Sequence, residues 1–453
     1  MNTADARRYM RMSSPRTPRI HLLKSSLGGH LFVADGSRLF DADADLFASY
    51  DAAMEEGSNE AIDELLRQAG LVGRPFIDDA PLSSPPLRAL SLAIAQKCNL
   101  GCTYCYAQQG EFGGPAKNME LTEALRAVDL LVGAAEPRAR LNLAFLGGEP
   151  LVNRKVLRAA TLRARELAGS RGAKMTFSIT TNGTLLTEDD GRFFEEHGFA
   201  VTISIDGPQE IHDAQRPYKG GRGSYDGIMK RAAPLLKMQQ GMQVSARVTV
   251  TPKNLVLLQT LDTLIAAGFH SVGFSPMLSA PTGEGEMQSE DLELMLGEMI
   301  DCGREFERAS RSGRRYPFAN MVNAMREIHR GTHRPYPCGA GAGYLGVSAE
   351  GELSACHRFV GDEEGAMGSL DDGVDVSRQA DWLAARHVHR QDPCQSCWAR
   401  YLCGGGCHHE VIRRGRPACD YIRGWLHYCL EAYLRLSAKP GTAGLGLTGA
   451  AHG

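Results

Sequence analysis

The sequence predicts an α/β protein built on a partial (β/α)6 TIM-type barrel, with a small α+β module before it and a Cys-rich domain behind it. Three observations carry this. Six strand-like runs alternate with amphipathic stretches between residues 89 and 277. Distinctive polar loops follow the first four of those strands, where barrels and doubly wound sheets place their chemistry. Eight of the twelve cysteines fall between residues 338 and 429. A chain of 453 residues also exceeds one ordinary core, so several domains are expected.

Taken in order, residues 1–18 are locally basic (Arg7, Arg8, Arg11, Arg16) and are expected to form a disordered tail. Residues 19–41 read as two or three short strands with GG and DG turns, and 43–70 show helical apolar spacing. Together 19–80 form a candidate winged-helix-like module, followed by the Pro- and Ser-rich linker DDAPLSSPP at 78–86. The barrel is assigned to 81–320. Its strands are expected at 89–96, 141–147, 174–181, 200–206, 243–250 and 271–277, with helices at 121–134, 153–169, 187–197, 224–239 and 254–267. Several strands are apolar on both faces, as a helix-covered parallel sheet requires. The Cys-rich domain is assigned to 330–436, with few long periodic segments and an expected dependence on metal. The small-residue-rich stretch 437–453 is expected to be disordered.

The formal net charge of −3 gives no global pull toward nucleic acid or anionic lipid. No apolar run reaches membrane-spanning length, and the N-terminal stretch MNTADARRYMRMSSPRTP lacks the apolar region of a signal peptide. A cytoplasmic protein is expected. Twelve cysteines in a reducing compartment argue for metal or redox chemistry rather than structural disulfides.

The first strand ends in CNLGCTYC at 98–105, which places Cys98, Cys102 and Cys105 at C-x3-C-x2-C spacing. Three thiolates can hold three irons of a [4Fe–4S] cubane and leave the fourth open to a ligand. The competing reading is a zinc site that borrows a distant fourth ligand. GGEP at 147–150, TTNG at 180–183 and SIDG at 204–207 end the next three strands, so four polar loops are expected on one rim.

CNLGCTYC resembles the signature of the radical S-adenosylmethionine (SAM) enzymes, and the resemblance spans roughly residues 88–300. It implies a [4Fe–4S] cluster on Cys98, Cys102 and Cys105, with SAM on the open iron. Reductive cleavage of SAM then yields a 5′-deoxyadenosyl radical. GGEP is similar to the family's GGE motif, whose backbone groups meet the SAM amino group, and the resemblance carries that role to Gly147, Gly148 and Glu149. SIDGPQEIHDAQR is similar to the segment that supplies Ser204 to the ribose region and Arg216 to the SAM carboxylate. Tyr104, inside the cysteine motif, is grouped with these SAM-binding positions. Asn182 and Asp206 stay open between ligand contacts and helix caps.

CQSCWARYLCGGGC, with Cys338, Cys356, Cys419 and Cys429 around it, could by itself be a zinc ribbon. The order of cysteines resembles the SPASM domain of peptide-modifying radical SAM enzymes. That resemblance implies auxiliary cluster I on Cys338, Cys356 and Cys407, and auxiliary cluster II on Cys394, Cys397, Cys403 and Cys419. Three [4Fe–4S] clusters and SAM are then the expected cofactors. RGTHRPYP before Cys338 holds no further cysteine, so cluster I keeps an open iron unless His333 or Cys429 closes it. Cys302 and Cys429 read as buried structural thiols, and His357 as an ordinary hydrogen-bonding residue.

CGAGAGYLGVSAEGELSACHRFVGDEEGAMGSL and CWARYLCGGGCHHEVIRRGRPACDYIRGW look like thioether-forming peptide maturases, most of all the maturases of quinohemoprotein amine dehydrogenase. The activity this implies is an intrapeptide Cys-to-Asp/Glu thioether crosslink, made on a Cys- and acid-containing peptide or small subunit with an electron donor. Other SPASM peptide modifications, sulfatase-type maturation among them, and a zinc-stabilised binding protein are the alternatives. The catalytic Asp of sulfatase maturases has no clear counterpart here. The N-terminal module resembles in layout the precursor-recognition elements of peptide maturases, which bind an extended leader at a sheet edge.

Overall fold

The structure is a computed structural model that describes residues 3–71, 80–133 and 135–437. The expected disordered tail is instead helix α1 (Thr3–Met12). Its basic residues point outward, while Ala6 and Tyr9, one turn apart, are buried. Arg7 pairs with Glu293 at 2.7 Å, and the Tyr9 hydroxyl donates to Glu431 at 2.8 Å. Those acids lie some 300 and 400 residues along the chain, so counting local charge could not reveal the helix. The other expected disordered stretch, 437–453, lies outside the described residues from 438 onward.

Strands β1 (Ile20–Ser25), β2 (Gly28–Val33) and β3 (Arg38–Ala42) form an antiparallel meander. Helices α2 (Ala44–Glu55) and α3 (Asn59–Gln68) follow, started by Asp43 and Ser58, whose side chains accept the Leu46 and Ala61 N–H groups. Ile20, Leu31, Val33, Tyr50, Ile62 and Leu66 make a separate small core. The opposite face of β1 and β2 (Leu23, Phe32) joins the main core. His21 stacks on Trp398 with ring centroids 4.0 Å apart, tying the module to the C-terminal region.

The barrel strands are β4 (Ala89–Gln96), β6 (Arg140–Gly147), β7 (Lys174–Thr181), β8 (Phe199–Ser204), β9 (Gln243–Val250) and β10 (Val272–Pro276), all parallel and adjacent in chain order. The short β5 (Lys117–Asn118) pairs with the end of β4. Between them run α4 (Leu121–Gly133), α5 (Arg154–Ser170), α6 (Glu188–Glu196), α7 (Gln209–Gln215), α8 (Tyr225–Met238) and α9 (Leu257–Ala266). In β9, Val244, Ala246, Val248 and Val250 pack into the helix layer, and the alternate residues face the lumen.

Beyond the barrel, α10 (Ser289–Arg311) and α11 (Ala319–Arg330) bridge to the cysteine-rich region, so the expected boundary near 320 falls inside a helix. That region is not a detached unit. Its first strand, β11 (Tyr344–Val347), lies parallel to β4 and extends the barrel sheet. β12 (Glu352–Ser354), β13 (Ala366–Ser369) and β14 (Gly373–Val374) continue it antiparallel. Short helices α12 (Val376–Arg386), α13 (Arg400–Cys403) and α14 (His408–Arg414) follow. α15 (Cys419–Ser437) closes the chain against α1, α10 and α11.

Candidate active site

CNLGCTYC leaves the C-terminal end of β4, on the rim where the other strand-end loops gather. Cys98 Sγ accepts the Leu100 N–H at 3.4 Å and the Asn182 side-chain amide at 3.5 Å; Cys105 Sγ accepts the Gln109 N–H at 3.2 Å. Such donors favour a thiolate and tune a cluster bound to it. Asn182 also donates to Asn99 at 2.9 Å, and its Oδ1 accepts the Thr184 N–H at 2.9 Å. It therefore both caps its own turn and ties the TTNG loop to the cysteine loop.

Gly147 and Gly148 are dictated by close approach. A Cβ on Gly147 would lie 2.4 Å from the Ala95 carbonyl oxygen, and one on Gly148 would lie 2.4 Å from that of Lys97. Their neighbourhood spends the N–H groups of Gly148 and Glu149 on those same carbonyls, at 2.9 and 3.0 Å. The Glu149 side chain does not face a ligand. It is fully buried, and its carboxylate accepts from Thr181 Oγ1 at 2.8 Å and from the N–H groups of Asn182 at 2.7 Å and Leu151 at 3.0 Å. Burial pushes its pKa up against the pull of these donors. Glu149 thus braces the β6 and β7 loops.

Tyr104 is likewise turned inward. Its hydroxyl donates to Asp206 through a short bond and accepts from Arg216 Nη1 at 2.6 Å. Arg216 Nη1 lies 3.8 Å from Asp206 Oδ2, and the Arg216 Nε is buried without a partner. Asp206 is held further by the Thr249 N–H at 3.1 Å, and its own N–H donates to His212 Nδ1 at 3.1 Å. Cys102 feels the charges of both Arg216 and Asp206, which places this group beside the cysteine loop. Tyr104 therefore positions Arg216 and offers no free hydroxyl. His212, missed in the sequence, was signalled by its place within SIDGPQEIHDAQR. Ser204, at the end of β8, is half-buried opposite Arg247 of β9.

The C-terminal thiols fall into two groups. Cys338, Cys356 and Cys407 act on one another electrostatically, as do Cys394, Cys397, Cys403 and Cys419. Burial pushes Cys102, Cys356 and Cys394 up to about 12, so protons must leave before metal binds. Backbone N–H groups reach Cys338, Cys356 and Cys403, as they reach Cys98 and Cys105. Among the described residues no three His, Cys, Asp or Glu close round a single ion. All-sulfur donor sets with amide donors fit iron–sulfur clusters. Cys302 and Cys429 are fully buried, the latter 3.9 Å from the Met321 sulfur, while His333 stacks on Tyr401 and accepts the Gly36 N–H.

Between the barrel thiols and the first C-terminal group stand Tyr106, His357 and Arg358. Tyr106 lies within electrostatic reach of both Cys105 and Cys356. His357 Nδ1 meets the Tyr344 hydroxyl at 2.9 Å, and its ring lies edge-on to Tyr106 at 6.0 Å. Burial, with Arg358 next, pulls His357 down to about 3. Arg358 covers the Tyr106 ring at 4.9 Å, pairs with Glu410 at 2.7 Å and approaches Cys407 Sγ at 3.8 Å. Tyr106 and Arg358 line a cleft of about 610 Å³ that residues 106–113, residues 279–286 and the C-terminal region share. Tyr106 and Arg358 went unread in the sequence, although each lies within two residues of a motif cysteine.

A cysteine loop at the end of the first barrel strand, with glycine-dictated approaches beside it, defines a radical SAM protein. Residues 92–253 match the family model of the Radical SAM superfamily. The chain is 28% identical over 361 residues to the serine-type anaerobic sulfatase-maturating enzyme of Klebsiella aerogenes, covering 76% of this chain and 85% of that one. It is 30% identical over 390 residues to the serine-type enzyme of Bacteroides thetaiotaomicron, covering 77% and 90%. The structure of anSMEcpe with bound AdoMet and Kp18Cys peptide superposes with a TM-score of 0.63 at 20% identity, over 78% of this chain and 98% of that one. The chain belongs to the Radical SAM superfamily, with anaerobic sulfatase-maturating enzymes among its near full-length relatives. Membership carries a [4Fe–4S] cluster and SAM. No helix among the described residues is long and apolar enough to cross a membrane.

Proposed function

We propose that the protein is a peptide maturase that forms intrapeptide thioether crosslinks between Cys and Asp or Glu side chains. One observation carries the reading: the trio Cys338, Cys356 and Cys407 gathers beside Arg358, which lines a cleft together with Tyr106, the residue that follows Cys105. Cys98, Cys102 and Cys105 would hold the SAM cluster, the trio auxiliary cluster I, and Cys394, Cys397, Cys403 and Cys419 auxiliary cluster II. SAM bound at the first cluster supplies a radical that removes hydrogen from a substrate carbon. Ser204 and Arg216 would orient SAM, the buried Arg216 Nε meeting its carboxylate. Its ammonium needs acceptors, and with two N–H groups of the GGE loop already donating inward, the carbonyls of Gly147 and Gly148 fit that need. A three-thiol auxiliary site has room for a substrate thiolate. An external donor would supply electrons, and the β1–β3 module would take a leader segment at its sheet edge.

The link replaces one C–H and one S–H bond by a C–S bond: the carbon's hydrogen atom would pass to the SAM-derived radical, the thiol proton to solvent, and the remaining electron to a cluster held by the auxiliary thiols, so SAM is the net oxidant. Anaerobic incubation of the reconstituted enzyme with SAM, reductant and a peptide containing Cys and Asp should give a product lighter by one pair of hydrogens, with a thiol that no longer alkylates. 5′-Deoxyadenosine without that change would overturn the reading. The similarity to sulfatase-maturating enzymes supports a second reading, oxidation of a Ser or Cys side chain to an aldehyde. A hydrazide probe separates the two products.

A further inference from the structure

We infer that Arg247 is the specificity-determining residue that holds a carboxylate of the peptide substrate inside the barrel. Resting on the peptide-maturase reading, this names the side-chain class that enters the site. Arg247 lies in the middle of β9, whose alternate residues pack into the helix layer, so its side chain faces the lumen. Its side chain is exposed in this structure, with charged groups of the C-terminal region close by. Arg358, Tyr106, Glu410 and Cys407 are the titratable neighbours within electrostatic reach of it. It therefore stands between the SAM side, where Ser204 is its cross-strand partner, and the side of the Cys407 trio.

The other arginines of the chamber each already hold a protein partner. Arg358 pairs with Glu410 at 2.7 Å, Arg414 with Glu286 at 3.3 Å, and Arg216 donates to Tyr104 at 2.6 Å. Among the described residues no hydrogen bond or ion pair reaches the Arg247 guanidinium. A guanidinium without a protein partner forgoes charge-assisted hydrogen bonds, and Arg358 beside it adds like charge. A planar anion relieves both costs, and a carboxylate matches the guanidinium fork. The SAM carboxylate has its own candidate in Arg216, next to Cys102. An Asp or Glu side chain held by Arg247 would present its methylene within the space between the two thiol sets.

The test uses holoenzyme with SAM and carbon-14-labelled N-acetyl-aspartate N-methylamide, with the asparagine analogue as control, in equilibrium dialysis. The parent should retain the aspartate probe roughly tenfold better than the asparagine probe, as expected for a charged hydrogen-bonded pair. Arg247→Gln should erase that preference and Arg247→Lys restore part of it, with iron content and SAM affinity within about twofold of the parent. Three results would overturn the assignment: no preference in the parent, a preference that survives Arg247→Gln, or a loss of SAM affinity as large as the loss of probe binding. The thioether reading fails separately. A peptide bound through Arg247 that emerges with its thiol free sinks that reading and leaves this one standing.

Discussion

The Arg216 guanidinium donates to the Tyr104 hydroxyl at 2.6 Å, and that hydroxyl in turn donates to the buried carboxylate of Asp206. A tyrosine inside the cysteine motif thereby aims the arginine of a segment more than a hundred residues away. Tyr104→Phe should weaken SAM binding about tenfold and cost about 1–2 kcal/mol of stability, because two buried polar groups lose a partner. Equilibrium dialysis with labelled SAM and thermal unfolding check both. Unchanged SAM affinity would show that Arg216 holds its place without Tyr104.

The three thiol sets should load independently. Reconstituted parent is expected to hold about twelve irons, and Cys105→Ala and Cys394→Ala about eight each. Iron and sulfide analysis reads this directly. A parent containing zinc without iron would remove the enzyme reading altogether.

Gly147→Ala should destabilise the protein by about 1–3 kcal/mol, since the residue combines a φ of +136° with a Cβ position 2.4 Å from the Ala95 carbonyl oxygen. Urea denaturation measures the loss. A shift of the midpoint within error would mean that β4 and β6 can part without cost.

Stability should fall as pH drops from about 7 to 5. His21 is fully enclosed between Trp398 and His427, and burial, reinforced by His427 and Arg16, holds its pKa well below the usual histidine range. Burial likewise pulls His212 down to about 3. Both are neutral in the folded protein, while the unfolded chain takes up protons near pH 6.5, so acid favours unfolding by up to about 1.4 kcal/mol per pH unit and histidine. Melting temperature against pH tests this. His21→Gln, which keeps a group able to bond His427, should flatten the slope; an unaltered slope would exclude His21 as a source.

Elements whose identity rests on local periodicity were legible in the sequence. Three barrel strands, β4, β7 and β9, begin and end where the apolar runs at 89–96, 174–181 and 243–250 do. α1 was not legible, because its partners Glu293 and Glu431 lie at the far end of the chain. Nor was the role of Glu149. The resemblance speaks only of the backbone of GGE, and the uptake of the Glu149 carboxylate by Thr181, Asn182 and Leu151 depends on loops that meet only in the fold.

The amino-acid order by itself determined the alternation of strand and helix, the C-x3-C-x2-C loop after the first strand and the spacing of the later cysteines, since each depends on neighbours within a few residues. Only the tertiary structure decided that β11 joins the barrel beside β4, and that Tyr106, Arg358 and Arg247 come near one another. Burial and charge pairing bring together residues from distant parts of the chain, and a guanidinium's lack of a partner exists only once the barrel has closed around it.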